Sequence, residues 1–239
     1  MHFTIRHTTQ YSYSRPVALD PHSLRVRPRH DGSQEIKQYT LEITPRPAGV
    51  TEFTDLEGNA AAQVWFTDLT DKLTILVMAE VQTLRENPYD FVIADPGVMT
   101  LPVRYPDQTR INLRPYCIPT QGDGPVSWFT DEIARSVNYD TLRFLTALTD
   151  DLYERIDLVV RPTGEPQTAE MTLKIGSGAG RDIAVLFMEC CRSQGIAARF
   201  ASGYWNGHAP AGYQYLHAWV EVYFPQCGWR GYDPSIGLA

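Results

Sequence analysis

The hydrophobic period of this chain changes near residue 125. That single change divides what the two halves can become. Before it, apolar residues alternate with polar ones over short runs: Phe3–Tyr13, Ser23–Val26, Ile36–Ile43 (IKQYTLEI), Ala62–Phe66 and Leu73–Val81. Turn signals separate the runs, at Arg15-Pro16, Asp20-Pro21, His30-Asp31-Gly32, Pro45-Arg46-Pro47 and Glu57-Gly58-Asn59. Short alternating strands between polar turns predict an antiparallel β-sandwich. After Pro125 the spacing is helical over Val126–Val137 and Thr141–Val159, with Phe144, Leu145, Leu148, Leu152 and Ile156 on one stripe. Arg181–Gln194 is apolar on most faces, so the helix it predicts is buried, and Gly195 is placed to end it. Three strand-like runs follow: Ala197–Tyr204, Leu216–Phe224 and Gly228–Tyr232. The class is α+β.

Between the halves lie seven prolines, from Pro88 to Pro125. Proline excludes a long helix, so this stretch is expected to be an extended connector. The organisation is then a sandwich over 1–87, a Pro-rich connector over 88–125 and a second domain over 126–239. Of the 239 residues, 43% are hydrophobic and 21% charged, which rules out disorder and coiled coil. Net charge is −7 and neither half is basic, so no nucleic-acid partner is expected. The runs Ile75–Ala79 and Ile183–Met188 fall far short of the ~20 residues of a membrane span. The N-terminal MHFTIRHTTQYSYS has no apolar signal region, making the cytoplasm the expected compartment. Cys117, Cys190, Cys191 and Cys227 form no C-x-x-C, and His2, His7, His22, His30 and His208 are scattered. Neither a metal nor a cofactor is expected. Nothing in the pattern specifies an oligomeric state.

Two stretches bear on chemistry. Gly176–Gly180 (GSGAG) precedes a helix, but it is G-x-G-x-G, without the Lys-Ser/Thr or the βαβ setting of a nucleotide loop. In LHAWVEVYF, His217, Trp219, Glu221 and Tyr223 share one face of a strand. A hairpin centred on Pro225 places His217 directly opposite Asp233 on that face, and a one-residue slip would separate them. A carboxylate beside an imidazole fixes its tautomer. The same juxtaposition also describes a cross-strand polar pair that stabilises a hairpin.

The order of these pieces resembles the bacterial transglutaminase-like superfamily. The stretches are TLKIGSGAGRDIAVLFMECCRSQGIAARFASGYW, YLHAWVEVYFPQCGW and GYDPSIG, and the match runs from about Leu152 to Gly237. The strands before Thr83, with Asp55-Leu56-Glu57-Gly58-Asn59, are similar to the β-sandwich N-terminal domain found in that family. The resemblance implies a papain-like core, a buried helix packed on an antiparallel sheet. It also implies acyl transfer or amide hydrolysis by a Cys-His-Asp triad acting on a peptide or protein.

In the family's Gly-x-Cys-x-Asp pattern, the cysteine sits at the N-terminus of the helix. His217, Asp233 and Asp182 match the histidine, the aspartate and the acid two residues after the nucleophile. The nucleophile position itself is Gly180, which can neither attack a carbonyl nor hold an acyl group. Cys190 and Cys191 stand ten and eleven residues further along the same helix, ~15 Å away. Cys227 is expected at the remote end of the hairpin, nothing aims Cys117 at His217, and Ser177 is three residues from the match. Trp205, Tyr215 and Trp219 are candidates to line a substrate groove; Tyr213 shares that region. Members of the family usually continue beyond the Asp-Pro motif, here Asp233-Pro234. Two functions stay open at this point: an acyl-transfer fold lacking its thiol, and a non-catalytic peptide- or protein-binding module.

Overall fold

The structure is a computed structural model and describes residues 1–85, 87–120, 122–206 and 216–238. It divides into two compact units, Met1–Asn87 and Pro88–Ala239.

The first unit holds six strands: β1 (His2–Val17), β2 (His22–Leu24), β3 (Gln34–Thr44), β4 (Gly49–Thr54), β5 (Ala60–Trp65) and β6 (Thr70–Thr83). They form two antiparallel sheets, ordered β1-β6-β3 and β2-β5-β4. Along β6 the residues Leu73, Ile75, Val77, Ala79 and Val81 are buried in strict alternation. Leu73 and Ile75 meet Leu24, Ala62 and Val64 of the other sheet, which makes this a sandwich. Strand β4 escapes a reading by alternation because it is an edge strand with five of its six residues exposed. β1 runs beyond Tyr13 through Pro16, which an edge strand tolerates.

The second unit contains α1 (Pro96–Met99), α2 (Asp107–Cys117), α3 (Pro125–Ser136), α4 (Thr141–Arg155), β7 (Asp157–Leu158), α5 (Ala169–Ile175), β8 (Ser177–Gly178), α6 (Gly180–Ser193), β9 (Ala198–Gly203), β10 (His217–Phe224) and β11 (Gly228–Tyr232). Helix α6 is its centre. Ile183, Ala184, Leu186, Phe187, Cys190 and Cys191 are buried on one broad face, and the remaining residues of the helix are at least half-buried. The antiparallel sheet β11-β10-β9 covers one side through Ala218, Val220, Val222 and Phe224. Phe187 stacks on Tyr232 with ring centroids 5.9 Å apart.

Three local expectations change. The Pro-rich stretch is not an extended connector. It carries the eleven-residue helix α2, and Val98, Leu101, Val103, Tyr105 and Leu113 enter the same core as α6. Pro115 lies in the last turn, where its missing N–H gives up one intrahelical bond just before the helix ends at Cys117. The Tyr105 hydroxyl fastens the stretch by donating to Tyr223 O and accepting from Ala197 N. Helix α4 stops at Arg155 rather than Val159, because Asp157-Leu158 leave to pair in parallel with Ser177-Gly178. The unforeseen α5 is bounded by a Thr168 side chain that accepts from Met171 N and by Gly176 in the left-handed region, φ 72°. No helix of the described residues is long and apolar enough to cross a membrane.

Phe187 of α6 is fully buried and stacks on Tyr232 of the sheet. Phe187→Ala is expected to cost about 3–5 kcal/mol, read as a lowered denaturant midpoint.

Candidate active site

The alternation of β10 gives it two faces with different work. Ala218, Val220, Val222 and Phe224 are buried toward α6, while His217, Trp219, Glu221 and Tyr223 are half-buried on the other face. The hairpin with β11 pairs Phe224 with Gly228 and Val220 with Tyr232, so it is centred on Gln226 rather than Pro225. The turn Pro225-Gln226-Cys227 sets that register, with Gln226 at φ 66° and Gly228 at φ 73°. Asp233 therefore stands level with Trp219, two residues along from the directly opposed position. A displacement of two preserves the face. His217 reaches Asp233 diagonally, and its Nε2 donates to Asp233 Oδ2. Since a carboxylate only accepts, the proton of a neutral ring lies on Nε2, which leaves Nδ1 as an acceptor.

Two indoles flank the imidazole. Trp205 lies 5.3 Å from it at 28° and Trp219 lies 6.4 Å away at 27°, centroid to centroid. Trp219 has room because its strand neighbours on this face are small. A Cβ at Gly203 would stand 2.6 Å from the indole Cη2, and one at Gly231 would stand 3.5 Å from Cδ1. Beside the pair is a cavity of about 240 Å³ lined by Tyr204, Trp205, His217, Trp219, Asp233 and Leu238 among others. Tyr215, Tyr213 and His208 lie outside the described residues.

Gly180 is the first residue of α6. Among the described residues, and apart from its chain neighbours and its helix backbone, a Cβ on Gly180 would have only Ser235 Oγ within 4 Å, at 3.9 Å. Gly178 is the opposite case: a Cβ there would stand 2.9 Å from Asp182 Cβ and 3.2 Å from Thr172 Cγ2. Asp182 itself is fully buried. Its carboxylate accepts from Ala179 N and Gln167 N, both at 2.8 Å, and from the Arg161 guanidinium. Burial works against its ionisation, but the bonds from Gln167, Arg161 and Ala179 and the charge of Arg161 outweigh burial and hold its pKa below the usual carboxylate value. Arg181 adds to the tie by donating to the carbonyls of Arg161, Thr163 and Gly164. The stretch from Arg161 to Gln167 is thereby bound to the start of α6. Arg161, Gln167 and Ser235 carry no signal in the sequence, because their partners are distant in the chain or close only through a turn.

The native thiols are placed elsewhere. Cys190 and Cys191 are fully buried; burial pushes Cys190 up to about 12 and Cys191 well above its ordinary value. Burial also raises Cys117, and Cys227 Sγ contacts Val92 O at 3.3 Å. Among the described residues no three His, Cys, Asp or Glu side chains are grouped to hold a metal ion.

Residues 128–234 match the family model of the transglutaminase-like superfamily, and residues 3–82 match that of the bacterial transglutaminase-like N-terminal region. The chain belongs to the transglutaminase-like superfamily. An uncharacterized protein of Mycobacterium tuberculosis H37Rv is 27% identical over 258 aligned positions, covering 98% of this chain and 78% of the relative. A Mycobacterium bovis protein matches to the same extent. The crystal structure of a candidate cysteine protease from Cytophaga hutchinsonii superposes with a TM-score of 0.70 at 19% identity, covering all of this chain and 80% of that one. The likeness supports the same mixed fold, a transglutaminase-like core of helices packed on antiparallel sheet. Within the superfamily's core, the described pieces converge on one place: the start of α6, the His217–Asp233 pair and the turn that carries Ser235.

Crowding separates the two neighbouring glycines. Gly178→Ala is expected to lose about 1–3 kcal/mol of stability by overpacking, whereas Gly180→Ala should be neutral or up to about 1 kcal/mol stabilising, compared by thermal or denaturant unfolding.

Asp182 makes stability depend on pH. Its folded pKa lies below its unfolded one, so its contribution is complete above about pH 4 and is lost as pH falls through the lowered folded value. Asp182→Asn should cost on the order of 3 kcal/mol at neutral pH. That difference should narrow below pH 4, as followed by urea unfolding across the acid range.

Proposed function

We propose that this chain carries the acid–base half of a cysteine-type acyl-transfer or amide-hydrolysis site, with Gly180 in the place of the nucleophile. The observation that carries the reading is the His217–Asp233 hydrogen bond combined with the unfilled space at the Cβ of Gly180, where Ser235 Oγ links the two. Three glycines stand in the loop, and two have a structural reason to be glycine. Gly176 adopts the left-handed conformation and Gly178 is packed against Asp182. Gly180 has neither constraint, so its missing side chain answers no demand of the fold.

The chemistry such a site performs follows from its parts. A thiol at position 180 would lie at a helix N-terminus, where the dipole favours the thiolate. His217, with Nε2 held by Asp233, takes the thiol proton on Nδ1. The thiolate attacks a carbonyl, and the imidazolium returns the proton to the departing amine. An amine or water then releases the acyl group from sulfur. Without the sulfur no acyl intermediate forms, and loss of a nucleophile costs on the order of 10⁶ in turnover. This chain is therefore read as inactive in that reaction.

A second reading is supported by the cavity beside His217. Trp205 is 40% exposed, and the Trp205 and Trp219 rings offer flat apolar surface next to a polar pair. Such a cleft can hold a peptide or protein segment without reacting with it.

Gly180→Cys tests the first reading. The new thiol should alkylate at near-neutral pH faster than the four native cysteines, with a thiol pKa in the range of roughly 3.5–7.5. Adding His217→Ala should remove that advantage, as measured by alkylation rate against pH. A new thiol that titrates like an ordinary cysteine would favour the binding module.

A further inference from the structure

Asp233 is itself held from the far side. Pro234 follows it and has no N–H to offer, and the chain then folds back on itself. Asp233 N donates to Leu238 O at 2.6 Å, and Leu238 N donates to Asp233 O at 3.0 Å. Ser235 lies inside this turn and is 5% exposed. Its backbone N–H, at 3.1 Å, and its hydroxyl, at 2.6 Å, both donate to Asp233 Oδ1, while Oδ2 takes the bond from His217. Each carboxylate oxygen thus has its own donors, and the group cannot rotate without giving some of them up. The same hydroxyl is the atom 3.9 Å from the Cβ position of residue 180.

We propose that Ser235 is a positioning residue: its hydroxyl locks the Asp233 carboxylate so that Oδ2 stays on His217 Nε2 and Nδ1 stays turned to the reacting side. This rests on the reading of His217 and Asp233 as the acid–base pair of the site. The backbone N–H of residue 235 can serve the turn whatever the side chain, so the hydroxyl is what the proposal concerns. Without it, Oδ1 keeps only the backbone donor, and the half-buried carboxylate is less restrained against rotating its other oxygen away from His217. Hydrogen bonds to an ionised group are strong enough for this loss to matter, and a reacting pair needs its support fixed to about half an ångström.

The experiment has two arms and compares Ser235→Ala, Ser235→Thr and Ser235→Val. Threonine and valine have nearly the same size and differ in the hydroxyl, so packing and hydrogen bonding are separated. In the first arm, ¹⁵N-edited proton NMR of the chain with Gly180 in place follows the ring N–H of His217. The proposal expects a protected downfield signal in the native chain and in Ser235→Thr. It expects that signal to be lost to solvent exchange in Ser235→Ala and Ser235→Val while circular dichroism is unchanged. In the second arm, the same substitutions are made on Gly180→Cys. Ser235→Ala and Ser235→Val should slow alkylation at neutral pH on the order of tenfold, about one charge-assisted hydrogen bond, and Ser235→Thr should restore most of the rate. If the ring signal behaves as stated but the Gly180→Cys thiol is ordinary, the positioning role stands and the acyl-transfer reading fails. A ring signal that is absent from the native chain, survives in Ser235→Val, or is lost equally in Ser235→Thr overturns the proposal.

Discussion

Everything at this site depends on β10 packing against α6. The strand buries Ala218, Val220, Val222 and Phe224 against the helix, and by the period of two it must then turn His217 and Trp219 the other way. The same packing fixes the helix, whose first residue is Gly180. A hydrophobic contact between two elements thus sets the location of the polar groups. Burial of apolar area at roughly 25 cal/mol per Å² supplies the rigidity, and the polar bonds supply the direction.

Around that contact the polar groups are arranged in layers of support. Trp219 lies over Gly203 and against Gly231, so the strand neighbours of the pair are small where the indole is large. Asp233 holds His217, and Ser235 holds Asp233. On the helix side, Asp182 gathers Ala179 N, Gln167 N and Arg161, and the loop before α5 is tied to the start of α6. On the proposed reading, these ties are the support of a thiol site on both sides of position 180. The side chain is what position 180 lacks.

Much of this was legible in the sequence, and the exceptions have physical causes. The buried helix, the three C-terminal strands and the alternation that puts His217 and Asp233 on one face follow from periods of 3.6 and 2, which depend only on neighbouring residues. The hairpin register was displaced by two because it is set by the backbone of Gln226 and Gly228, not by hydrophobic pattern. Helix α2 was hidden by Pro115, since a proline signal does not say whether it falls in the first, middle or last turn. Strand β4 shows no alternation because it has almost no buried face. Arg161 and Ser235 were invisible for another reason. An arginine or serine in a loop has meaning only through the distant or folded-back partner it meets.

The central claim is that position 180, and no other native residue, stands where the nucleophile of this fold would be. Intact-mass spectrometry after exposure of the native chain to an activated acyl ester tests it most directly, with His217→Ala run beside it. The account predicts no His217-dependent acyl adduct on the native chain. An adduct that maps to a native side chain and disappears in His217→Ala would contradict it, because the dyad would then be serving a nucleophile at a position other than 180.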